Sequence, residues 1–173
     1  MTDRETPPPI VMVVMGVAGA GKSTLARALA NELGVRFLEG DDLHPAANVA
    51  KMRRGEPLTD ADRWPWFSAV AAWIDARAAA RESAVVACSA LKRSYRQVLG
   101  QGRPFVRFVH VAGSPELVAE RMAGRQDHYF PASLIASQFE ALEPPGADEK
   151  VVVVDMTLPV AAQVAQVVAE LSL

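Results

Sequence analysis

The sequence predicts an α/β fold, a five-stranded parallel sheet with helices on both faces. Three observations predict it. Short, continuous apolar runs recur along the chain, as in strands buried on both sides. Segments of helical period separate them, which is the signature of crossover connections. A glycine-rich stretch ending in Gly21-Lys22-Ser23 lies between the first apolar run and the first helical segment.

The first strand is expected over 10–15, a run of Ile, Val and Met. Residues 22–33 follow as a helix with Leu25, Leu29 and Leu33 on one face, and Gly34 stands where a helix C-terminus favours glycine. A second strand is expected over 35–40. Trp64, Phe67, Val70, Ile74 and Ala78 line one side of a helix running to about Arg81, with Pro65 tolerable in its first turn. A third strand over 84–88 leads to a short helix over 92–99, and a fourth strand covers 105–111. Residues 115–124 are helical with Pro115 in the first turn. A fifth strand over 151–155 precedes a closing helix over 159–171, with Val160, Val164, Val167 and Leu171 facing inward.

The chain has 173 residues, half of them hydrophobic, enough for one domain with a substantial core. No repeat or interdomain linker is visible, so residues 10–173 read as a single domain, with Pro144-Pro145-Gly146 a loop inside it. Eighteen basic against 20 acidic residues give a net charge of −2, without the clustered basic excess of a nucleic-acid binder. Cys88 is the only cysteine, so no intramolecular disulfide forms, which suits a reducing compartment. Residues 1–9 carry Asp3, Glu5 and three prolines, lack the features of a signal peptide, and read as a disordered tail. No apolar run approaches the ~20 residues of a membrane span. A cytoplasmic protein without membrane partners is expected.

Gly16-Val17-Ala18-Gly19-Ala20-Gly21-Lys22-Ser23 matches the P-loop pattern G-x-x-x-x-G-K-[ST]. Ordinary residue frequencies give roughly 0.005 such matches in a chain of this length. The glycines let several backbone N–H groups converge on one anion, and the following helix adds the positive end of its dipole. Lys22 is suited to the β- and γ-phosphates of ATP, and the Ser23 hydroxyl to Mg²⁺. The nucleotide-binding set expected here runs from Gly16 through Thr24.

Ligands of open α/β sheets bind beyond the carboxyl ends of the strands. Glu39-Gly40-Asp41-Asp42-Leu43-His44-Pro45 ends the second strand. A carboxylate there can take the proton of an attacking hydroxyl, and spacing alone leaves Asp41 and Asp42 equally placed. The third strand leads into Ser89 without an acid, so Asp41 is the acid expected near the metal. His44 is a candidate for orienting a substrate hydroxyl. Lys51, Arg53, Arg63, Lys92 and Arg96 are the cations available to an anionic acceptor. Arg121 and Arg125 lie one helical turn apart, with His128 close behind. Over bound ATP, one guanidinium can stack on adenine and another can meet the transferring phosphoryl.

These motifs, in this order, resemble the gluconokinases of the P-loop kinase type. The resemblance runs from Val11 to about Asp155. It rests on Met15-Gly16-Val17 leading the P-loop, Gly40-Asp41 with His44-Pro45, and Lys51-Met52 with Gly55-Glu56-Pro57-Leu58. Asp62-Arg63, Pro65-Trp66, Cys88-Ser89-Ala90-Leu91-Lys92, Tyr95-Arg96, Ser137-Gln138-Phe139-Glu140 and Pro145-Gly146-Ala147-Asp148-Glu149 add to it. The resemblance implies a fold like that of nucleoside monophosphate kinases, with a lid over about 124–136. It implies transfer of the γ-phosphoryl of Mg-ATP to the 6-hydroxyl of D-gluconate. It selects Asp41 as the base and admits a homodimer; Arg125 remains the candidate catalytic arginine, Arg121 a candidate nucleotide contact and His128 a candidate acceptor contact from their placement at the lid. Tyr129 departs from the family's phenylalanine at that position. The rival expectations are the same chemistry on shikimate, a nucleoside monophosphate or another sugar acid, and a nucleotide-binding module without transfer.

Overall fold

The computed structural model describes residues 6–124 and 132–173. The start of the expected tail, the centre of the expected lid, Arg125, His128 and Tyr129 lie outside the described residues. The five strands are β1 (Val11–Met15), β2 (Arg36–Glu39), β3 (Ala84–Ala87), β4 (Val106–Ala112) and β5 (Val152–Asp155). All pair in parallel, in the order β2-β3-β1-β4-β5. No residue of β1 is more than 2% exposed, which is why this strand reads as an unbroken apolar run.

The pleat divides β1 between two cores. Met12 and Val14 face α1 (Lys22–Leu33) and α7 (Val160–Glu170), meeting Leu25, Leu29 and Val167. Val11, Val13 and Met15 face the other way, against Trp66, Phe67, Val70 and Ile74 of α3 (Asp60–Ala79) and Tyr95 and Leu99 of α4 (Arg93–Gly100). The switch in strand order beside β1 opens a crevice at the carboxyl edge, where the P-loop lies. Gly34 ends α1 in the left-handed conformation at φ 66.

Helix α3 corrects the expectation at its start. Thr59 caps it, so Pro65 falls in the second turn. The carbonyl it leaves without a donor belongs to exposed Ala61, where water can serve it. Trp66 takes the inward place, 2% exposed, and Trp64 is 38% exposed. Two helices were not expected: α2 (Ala46–Arg53) and α6 (Ala132–Ala141). Helix α5 (Pro115–Ala123) begins at a Ser114 cap, and its last residues approach the P-loop. Among the described residues, no helix is long and apolar enough to cross a membrane.

Candidate active site

Between β1 and α1 the chain must turn sharply, and Gly16 makes the turn at φ 146. A Cβ there would lie 2.8 Å from the Val111 carbonyl oxygen, so only glycine fits without backbone movement. The Gly16 N–H donates to Ser89 O at 3.2 Å, tying the P-loop to the segment after β3. Lys22 donates through Nζ to Val17 O at 3.1 Å. Burial pushes its pKa down, while Asp41, Cys88 and Glu39 push the other way. Burial likewise raises the Cys88 thiol, which stays protonated and packs as a small apolar group.

The Ser23 hydroxyl donates to the Glu39 carboxylate. Glu39, which the sequence reading did not single out, is thus the carboxylate that meets the Ser23 hydroxyl. Glu39 closes β2, and its carboxylate reaches across to the first turn of α1. With its proton directed to Glu39, Ser23 Oγ keeps lone pairs for a cation. Among the described residues, no cluster of three or more His, Cys, Asp or Glu could hold a metal. A serine backed by one carboxylate suits Mg²⁺, which retains waters and takes substrate phosphates as ligands.

Asp41 stands in a 3₁₀ turn, Gly40–Leu43, directly after β2. It lines a pocket of about 210 Å³ together with Ala18, Lys22, His44, Arg63 and Gln138. Asp42 is not among the lining residues. His44 stacks on Trp66 with ring centroids 3.9 Å apart. Asn48 Nδ2, 3.2 Å from His44 Nδ1, can only donate, so the imidazole proton resides on Nε2. That nitrogen lies 3.7 Å from Asp41 Oδ1. Burial lowers the His44 pKa, partly offset by Asp41, so a neutral imidazole faces the carboxylate.

The cations divide. Arg63 lines the pocket and donates to Tyr95 Oη at 2.9 Å. Lys51 is engaged by Asp62 at 2.7 Å and Lys92 by Asp60 at 3.1 Å, and neither lines the pocket. Arg53 is exposed on α2 and also lies outside it. Arg96 is a correction: it is 3% exposed and has no free donor to offer a substrate. Its guanidinium bonds both Glu149 oxygens and the carbonyls of Ala90, Leu91 and Glu143. It pins the turn in which Ala90 sits at φ 43, and it holds the 143–149 segment to that turn. Arg121 donates to Ala20 O at 3.1 Å and Met156 O at 2.8 Å, bracing the P-loop against the end of β5. Thr24 is exposed beside Ser23.

Residues 11–145 match the family model described as an AAA domain. The gluconokinase of Gluconobacter oxydans is 50% identical over 156 residues, 88% of this chain and 87% of that protein. The thermoresistant gluconokinase of Escherichia coli is 40% identical over 159 residues, 91% of each. The chain belongs to the gluconokinase family. It is a P-loop kinase of the phosphotransferase class. A solved gluconokinase from Sinorhizobium meliloti superposes with a TM-score of 0.86 at 46% identity, covering 95% of this chain and 93% of that one.

Several residues of this gluconokinase-family site escaped the sequence reading. Glu39 had a usable signal: it closes the second strand, at the carboxyl edge where ligands of such sheets bind. Trp66 stood in the family motif Pro65-Trp66 without a role, and Asn48 carried no signal for its contacts with His44 and Asp62. Trp66 Nε1 donates to Gly40 O at 2.8 Å, and Asn48 also donates to Asp62 O at 2.8 Å. Gln138 meets the P-loop from a helix that the sequence did not announce.

Proposed function

We propose that this chain phosphorylates D-gluconate at its 6-hydroxyl with ATP and Mg²⁺, releasing ADP and 6-phospho-D-gluconate. The observation that carries this reading is one pocket lined by both Lys22 and Asp41, a phosphate-binding cation and a carboxylate free to accept a proton. The P-loop amides and Lys22 hold the β- and γ-phosphates. Ser23, with Glu39 behind it, would hold the metal, which when bound neutralises charge on the phosphates. The acceptor oxygen attacks γ-phosphorus as its proton passes to Asp41, and the bond to the ADP oxygen breaks. The neutral His44 imidazole stands beside the Asp41 carboxylate, its Nε2 3.7 Å from Oδ1. Arg63 supplies positive charge for the acceptor's carboxylate. Arg125 and His128 take the roles expected from their sequence positions, on the phosphoryl and on the acceptor.

Relatives named gluconokinase, at 40 to 50% identity, favour gluconate over shikimate or a nucleoside monophosphate. A coupled ADP-release assay across gluconate, shikimate, other sugar acids and nucleoside monophosphates tests the reading. Gluconate is expected to give the highest kcat/KM. Turnover with another acceptor and none with gluconate refutes the substrate. ATP binding without any acceptor-dependent ADP formation refutes the enzyme reading.

A further inference from the structure

One side chain at the junction of the nucleotide and acceptor regions has no role in the scheme above. Gln138 projects from α6, and its Oε1 accepts a hydrogen bond from the Ala18 N–H at 2.6 Å. That bond orients the carboxamide, because a backbone N–H can be met only by the oxygen. The amide nitrogen therefore points away from Ala18, and Gln138 lines the same pocket as Lys22 and Asp41. Among the described residues, no group accepts a hydrogen bond from Nε2.

Ala18 and Lys22 are the P-loop residues that line this pocket, so they mark where the terminal phosphate of a bound nucleotide meets the acceptor. Lys22 approaches that point from α1, and Gln138 approaches it from α6. A carboxamide held at its oxygen, with its N–H bonds unused among the described residues, is a preorganised donor. Phosphoryl transfer spreads charge over equatorial oxygens, which such a donor stabilises without reorganisation. We propose that Gln138 is a catalytic residue that donates from Nε2 to the phosphoryl group as it crosses from ATP to the acceptor.

The inference rests on the functional reading given above, and two variants test it beside the wild type in the gluconate-dependent ADP-release assay. Gln138→Ala removes anchor and donor together. It is expected to lower kcat by roughly a hundredfold, the usual cost of one lost oxyanion donor, with the KM values for ATP and gluconate near wild type. Gln138→Glu keeps an oxygen for the Ala18 N–H but loses the donor and sets a negative charge against the phosphates. Its kcat is expected to fall at least as far, with an unchanged thermal midpoint. Wild-type kcat in the Gln138→Glu enzyme overturns the inference. Raised KM values with kcat unchanged in both variants overturn it as well. A wild type inactive on gluconate sinks the functional reading and this inference with it. An active wild type beside an equally active Gln138→Glu sinks the inference alone.

Discussion

Asp41 depends on the glycine before it. A Cβ on Gly40 would lie 2.4 Å from the Ala87 carbonyl oxygen, and the Gly40 carbonyl is held by Trp66. The turn is thus pinned against β3 on one side and α3 on the other, which sets the direction of the next side chain. Asp41→Asn keeps that shape and removes the proton acceptor. Its kcat should fall by roughly 10²–10⁴, the range for a lost general base, with ATP affinity retained. Steady-state kinetics beside a nucleotide titration measure both. Arg96 makes the opposite case, a basic residue whose work is internal. Arg96→Ala strips the Glu149 carboxylate of its guanidinium partner and leaves the Ala90 carbonyl without its donor, while Leu91 O keeps the Glu143 N–H. A loss of about 3–5 kcal/mol is expected in urea unfolding, as for other broken buried pairs.

At the scale of the element, the N-terminus of α3 organises the acceptor side. The Thr59 side chain accepts from Asp62 N at 3.2 Å, and the Asp62 carboxylate accepts from Thr59 N at 2.8 Å. The same carboxylate holds Lys51 of α2, and the Asp62 carbonyl holds Asn48, which orients His44. One capped turn therefore fixes the helix that positions the imidazole beside Asp41. Thr59→Ala should cost about 1 kcal/mol of stability, the usual value of a lost cap, read as a lower urea midpoint. Helices α2 and α6 had little periodicity to betray them. The buried residue of α2 is Asn48, a polar one. On α6, Ile135 is the side chain among the buried core. Helix α6 adds Phe139, one turn on and only partly buried, so neither short helix presents a long apolar stripe.

For the whole molecule, acid sensitivity follows from what is buried. Burial holds His44 and His110 below the ordinary 6.5, the second also through the positive charge of Arg96. Between the folded value and 6.5 the unfolded chain binds more protons, so stability rises with pH across that interval. Carboxylates act lower on the scale. Lys51 and the Thr59 cap hold Asp62 at about 2, and the Arg96 guanidinium holds Glu149 below its usual range. Their stabilisation is present above the unfolded carboxylate value and is lost as pH falls toward the folded one. The thermal midpoint should be level near neutrality, decline as pH drops through about 6.5, and decline further below about 4. His110→Gln should reduce the first decline, leaving the share of His44, and leave the second, as a pH series of melting curves would reveal.

Composition and order along the chain determined the architecture. Apolar runs such as Val11–Met15 can only be buried strands, and a P-loop between strand and helix can only lie at the carboxyl edge of a parallel sheet. The family motifs led further, to Asp41 over Asp42. Only the tertiary structure decided which charges are free. Lys51, Arg63, Lys92 and Arg96 look alike as letters, yet Asp62, Asp60 and Glu149 claim three of them and leave Arg63 at the pocket. The physical reason is that a cation's availability depends on its neighbours in space, and those neighbours stand up to 53 residues away in the chain.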